Sequence, residues 1–372
     1  MVNKKRFWVA LLALVSVLLN LLAHRFPHLT EAWFSQGVYR VLATTYGRIF
    51  GVLPFSVSQF LIIVLPVVAV MYFFWEIWNI FSKSYKRYSA RLLLNVMCAV
   101  GVISFMFTIF AGLNYARPTL DTLIGLEIVE PNFEQLTRLA EILVKQANEA
   151  SVFVSRDEHN LMTIQVSHLE LARQAQDAFR LAAGDFPVLR GYVPLVKPII
   201  YSQFMSHLRI TGIYSPFTME AHVNVHVPDY HIPATMIHEL AHFRGIMRED
   251  EANFIAWLAG TRSGNPYFEY SGAMLALSHT LNRLHSISPQ EHARIVAMLN
   301  QYVLADFVAN TEYWQQFTGP LADISTEIND AYLRANQQAD GVASYGGMIE
   351  LLIAYTHTNP QFIGLIYIVR IG

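Results

Sequence analysis

Pro233-Ala234-Thr235-Met236-Ile237-His238-Glu239-Leu240-Ala241-His242-Phe243-Arg244-Gly245 is the stretch on which the reading of this chain turns. It predicts a helix over 233–244. Proline stands in the first turn, where a missing N–H costs little, and glycine follows the last turn, where a left-handed residue closes a helix. Inside lies the pattern H-E-x-x-H. Residues i and i+4 of a helix share one face, with Cβ atoms about 5 to 6 Å apart, so the imidazoles of His238 and His242 can reach one tetrahedral ion. Glu239 then projects beside that ion, where a carboxylate can take a proton from a water molecule.

A tetrahedral site that keeps one position open needs a third protein ligand. Seven residues past His242 the chain reads Arg248-Glu249-Asp250-Glu251-Ala252-Asn253, the start of a second helix after the turn at Gly245. Glu249 and Asn253 are spaced i and i+4, so a ligand and a hydrogen-bond partner for a ligating histidine would share a face. Glu251 is the alternative ligand, since a helix start is uncertain by a residue or two. The single cysteine, Cys98, lies in an apolar run and cannot build a thiolate site. The expected donors are therefore His, Glu or Asp, and the expected ion is Zn²⁺.

Other residues were weighed around this centre. His222, Asn224 and His226 alternate with Val223, Val225 and Val227, which predicts a strand with one polar face. The two histidine Cα atoms would lie about 13 Å apart, too far for one ion, so the expected role is an edge strand lining a cleft, to which an extended peptide adds, or else a simple half-exposed strand. A donor for a developing oxyanion is also needed. Tyr345, following Asp340-Gly341 at a turn that opens a helix, is the first candidate, with His357 and Tyr214 as alternatives.

Outward from this core the chain divides in two. It is 53% hydrophobic and only 15% charged, against about 25% charged in soluble domains, and lipid-facing segments account for the deficit. Residues 7–23, 59–81 and 92–113 are apolar runs long enough to cross a bilayer. No small-residue cleavage site follows the first, which is expected to remain as a span. Lys4, Lys5 and Arg6 precede it, and Lys83, Lys86, Arg87 and Arg91 separate the other two. Positive loops face the cytoplasm, so residues 114–372 are expected outside it. Residues 24–58 carry few charges and are expected along the interface or against the outer domain.

In the outer part, three- and four-residue spacing predicts helices at 131–150, 167–183, 249–261, 268–286, 289–316, 320–338 and 344–357, with strands near 208–214 and 219–227. The fold class is mainly α: three N-terminal transmembrane helices, then an α-rich domain with a small β-sheet. A net charge of -2 and a pI near 6.7 give no attraction to polyanions, so nucleic acid is excluded as a partner. No phosphate loop or nucleophile elbow is present, and spans with hardly any charge offer no ion path.

With these residues in view, His238-Glu239-x-x-His242 followed by Glu249-x-x-Ala252-Asn253 resembles the zincins of the glutamate-ligand type, thermolysin-like and CaaX-protease-like. Here Asn253 stands where that pattern has Asp, and the spacing from His242 to Glu249 is very short. The whole chain resembles an uncharacterised family of bacterial three-span membrane proteins with an outer HELAH…EDEANF domain. That resemblance runs through Tyr270-Ser271-Gly272, Tyr313-Trp314, Asn329-Asp330 and Ser344-Tyr345-Gly346. It implies a zincin-like domain, with Glu249 as third ligand and Asn253 behind a ligand. The expected activity is zinc-dependent peptide hydrolysis at the cytoplasmic membrane, on a peptide or protein substrate. The alternative is a non-catalytic metal-binding scaffold or receptor.

Overall fold

The computed structural model describes residues 4–359, so the last stretch of the expected 114–372 domain lies outside the described residues. The chain is mainly α-helical with one small sheet, and it forms two compact units: Met1–Pro118 together with Ser215–Glu220, and Thr119–Tyr214 together with Ala221 onward.

The first unit holds three helices long and apolar enough to cross a membrane: α1 (Lys5–Arg25), α3 (Val57–Ser82) and α4 (Tyr85–Phe110). This is a multi-pass membrane protein. The third helix begins at Tyr85 rather than 92 and ends at Phe110 rather than 113, because Lys86, Arg87 and Arg91 are good helix formers at a helix start and need not sit in a loop. Arg91 donates from Nη2 to Glu76 Oε2 at 2.7 Å across the α3–α4 hairpin, so the buried Glu76 carboxylate is paired, as an apolar surrounding demands. Residues 24–58, expected along the interface or on the outer domain, are largely helical and belong to this first unit, with α2 (Tyr39–Gly51) packing Tyr46 on Phe110. Glu220 is in the same unit and accepts from the backbone N–H groups of Val57 and Ser58, at 3.2 and 2.8 Å, in the first turn of α3. A carboxylate there satisfies donors that a helix start leaves open.

The second unit is built around α8 (Glu249–Arg262), which packs against α6 (His168–Asp185), α7 (His231–Phe243), α9 (Pro266–Ile287) and α12 (Met348–Thr358). Almost every α8 residue is buried, including Phe254 and Trp257. An apolar surface on all sides marks a central helix. Helix α5 (Phe133–Ala150) packs its apolar stripe of Leu136, Leu139 and Leu143 on α9. Ser271 on α9 inserts its hydroxyl between the Tyr230 carbonyl and the Ala234 N–H, at 2.8 Å from the latter. That bond fixes the register of α7 on α9.

Two expectations change here. The helix expected over 289–316 is two helices, Pro289–Val296 and α10 (Gln301–Gln315), because the Asn300 side chain caps the N–H groups of Tyr302 and Val303 at 3.0 Å and starts a new one. The sheet has the order β1 (Lys197–Pro198), β3 (Glu220–Val223), β2 (Gly212–Ser215). The strand carrying His222 is therefore central, and β2 is the edge.

Candidate functional site

Helix α7 runs from His231 to Phe243, and Gly245 closes it at φ +82° with its N–H on the His242 carbonyl at 2.9 Å. The reversal brings the start of α8 back over the last two turns of α7. Glu249 Oε2 then lies 3.1 Å from His238 Nε2 and 3.5 Å from His242 Nε2. The three ligand atoms lie within 4.8 Å of one another, and theirs is the only such group of three or more among the described residues. Metal–ligand bonds of about 2.0 to 2.2 Å set tetrahedral edges of roughly 3.4 Å, so this donor set fits a zinc-sized ion.

The far side of each imidazole is committed. His238 Nδ1 lies 2.8 Å from Asn253 Oδ1, and His242 Nδ1 lies 2.8 Å from the Ile246 carbonyl. Both partners are acceptors, so each ring carries a proton on Nδ1 and presents Nε2 to Glu249, where a proton bonds the carboxylate in the metal-free protein and a lone pair would be free for an ion. Asn253 is itself held by donating to the Tyr345 carbonyl at 3.3 Å. Glu251 is turned elsewhere, accepting from the Leu120 N–H at 2.8 Å. Of the two expected carboxylates, Glu249 is the one placed at the imidazoles.

Charge follows this geometry. Burial opposes ionisation of Glu249, but the neighbouring His242 and His238 hold it well below the usual carboxylate range. Burial alone would lower His242, yet the charge and hydrogen bond of Glu249 outweigh it and lift the imidazole to about 9. Glu239 is pushed up to about 7 by burial, partly offset by the two histidines. A carboxylate poised near neutrality beside two imidazoles suits a general base.

Tyr345 reaches the cluster from a 3-10 turn, Gly341–Gly347. Burial, reinforced by the charge of the neighbouring Glu249, keeps its phenol protonated far above its ordinary range, with Asn329 acting the other way. A neutral phenol at this position is a donor. Asn329, on α11 (Pro320–Ala335), carried no sign of this role in the sequence beyond its place in a resembling segment. His279 on α9 was missed entirely. Burial, with a smaller contribution from His238, pushes it down to about 4, leaving a neutral imidazole near the site.

His222, Asn224 and His226 are not brought to the cluster. His222 is buried with Nδ1 3.2 Å from the Ile213 carbonyl, Asn224 is fully buried and donates to Ser206 Oγ and the Ile210 carbonyl at 3.0 Å, and His226 Nδ1 lies 2.9 Å from Tyr313 Oη. His222 and Asn224 serve internal hydrogen bonds, while His226 is exposed against Tyr313. His357 is exposed near the end of α12, and Tyr214 packs edge-on to Phe243 with ring centroids 6.5 Å apart. The edge strand beside Glu239 is β2, where Gly212 faces its carboxylate. The four-residue connection from β2 to β3 makes the pair antiparallel. Thr211 accepts from the Asn224 N–H at 2.8 Å, so residues 211 and 213 turn their backbone groups to β3 and residues 212 and 214 turn theirs outward.

The fold and site thus define a multi-pass membrane protein with a His-His-Glu cluster on paired helices. The chain belongs to the family described as "Protein of unknown function (DUF3810)", which matches residues 34–353 and so includes every residue of the cluster. No curated protein and no solved structure matches the chain.

Proposed function

We propose that this protein is a membrane-anchored, zinc-dependent peptidase of the zincin type, with its second unit on the outer face of the cytoplasmic membrane. The observation that carries the reading is the Glu249 carboxylate set 3.1 and 3.5 Å from two Nε2 atoms whose Nδ1 sides are already engaged. His238, His242 and Glu249 would hold the ion. When bound, Zn²⁺ would polarise a carbonyl and acidify water to a pKa of about 7.

The chain's own residues supply the rest. Glu239 accepts the proton of the attacking water as the new C–O bond forms and passes it to the amine nitrogen as the C–N bond breaks. The Tyr345 phenol donates to the oxygen on which negative charge develops. An extended peptide or protein segment aligns by main-chain hydrogen bonds on the outward groups of Gly212 and Tyr214 in β2. The basic residues before α1 and between α3 and α4 support the outward orientation of the second unit.

The test is full-length protein in detergent, loaded with one zinc and assayed on a peptide library beside Glu239→Gln. The reading expects wild-type cleavage and a variant that keeps its zinc and loses turnover. Equal behaviour of the two would favour a non-catalytic metal-binding scaffold.

A further inference from the structure

We propose that Gly212 is a positioning residue for Glu239: by carrying no side chain it lets the edge strand set where the carboxylate stands beside the two imidazoles. The inference rests on the peptidase reading for its functional consequence, but its geometry stands alone. A Cβ built on Gly212 would press against Glu239 Oε1, lie 2.9 Å from Glu239 Cδ and lie 2.6 Å from Thr235 Cγ2. The backbone of Gly212 is not in the left-handed region. Space, rather than conformation, is what requires glycine there.

Thr235 and Glu239 are one turn apart on α7, so both face β2. A β-branched side chain in a helix has little freedom at χ1, and Thr235 therefore closes one side of the slot. Glu239 Oε1 faces the strand, while Oε2 is buried and has no hydrogen-bond partner among the described residues. An unpartnered buried carboxylate oxygen is costly unless it meets a ligand, here the water that Glu239 is to deprotonate. Anything added at residue 212 meets both Thr235 Cγ2 and the Glu239 carboxylate; once Thr235→Ser removes the first contact, the carboxylate is the group that must turn away from the imidazoles.

The atoms nearest a Cβ at 212 belong to Glu239 and Thr235 rather than to the three donors, so metal binding and base placement become separable. In Gly212→Ala on a Thr235→Ser background, zinc remains at one per chain with affinity unchanged within about threefold, as expected of independent sites. Turnover falls about 100-fold at nearly constant KM, the cost of misplacing a reacting group by about 1 Å. A thermal cycle reads the same contact without substrate, using a Thr235→Ser background to remove the Cγ2 contact. There Gly212→Ala lowers Tm by about 2 °C or more when Glu239 is present and leaves it unchanged when Glu239→Ala has emptied the slot. Equal shifts in the two backgrounds, loss of zinc from Gly212→Ala, or unchanged turnover would each overturn the proposal. A wild-type protein that cleaves no peptide would overturn the peptidase reading instead, and the thermal cycle would then decide alone whether Gly212 sets Glu239.

Discussion

Raising the pH from 7 to 9 should tighten zinc binding by about two orders of magnitude. The magnitude follows from His242, whose imidazole the Glu249 carboxylate lifts to about 9 against the effect of burial. At pH 7 the metal-free site therefore holds a proton on His242, and an incoming cation must displace it. Each pH unit below 9 then weakens apparent affinity about tenfold, and the dependence flattens above 9. Glu249, held well below the usual carboxylate range, contributes no proton across this window.

The assay is competition against a chromophoric chelator from pH 6.5 to 10, corrected for the chelator's own protonation, with calorimetry in buffers of different ionisation enthalpy. The account expects about one proton released per zinc at pH 7 and almost none at pH 10. Stability of the metal-free protein carries the same signature. A group raised in the folded state contributes stability that is complete below its unfolded value near 6.5 and is lost as pH rises through about 9. Tm of the metal-free protein should fall over that window. An affinity independent of pH between 7 and 9, with no proton released, would refute the coupling of His242 to Glu249.

Three further outcomes are expected. Asn253→Ala removes the acceptor that orients His238, and zinc affinity should fall about 10- to 100-fold in the chelator assay without loss of fold. Tyr345→Phe leaves the three donors intact and should lower kcat about 100-fold or more while zinc content stays at one, as read by turnover beside elemental analysis. Asp306→Ala strips a buried carboxylate that Arg156 meets at 3.0 Å, the Met162 N–H at 2.9 Å and the Tyr270 hydroxyl at 2.5 Å. Denaturant unfolding should show a loss of about 3 to 5 kcal/mol, the cost of leaving a buried partner charge unpaired.

Much of this was legible in residue spacing. Proline at 233, glycine at 245 and the apolar pattern between them locate α7, and the i, i+4 spacing sets His238 with His242 and Glu249 with Asn253. The turn read at Asp340-Gly341 is present, although what it opens is a 3-10 turn carrying Tyr345, with the helix beginning at Met348. What spacing could not give was pairing. The alternation of His222, Asn224 and His226 reads the same whether the polar face meets solvent or Ile213, Ser206 and Tyr313, and only the sheet order settles which strand is the edge. Asn329 and His279 lie 80 and 30 residues beyond Glu249 and come near the site only through packing, which no local pattern encodes. Asn300 broke an expected long helix because capping competes with propensity one side chain at a time.

Elemental analysis of the full-length protein in detergent, beside His238→Ala and Glu249→Ala, decides whether His238, His242 and Glu249 hold one zinc ion. One zinc per chain is expected in the wild type and none retained through dialysis in either variant. A folded wild-type protein without zinc, or variants that keep it, would rule the site out.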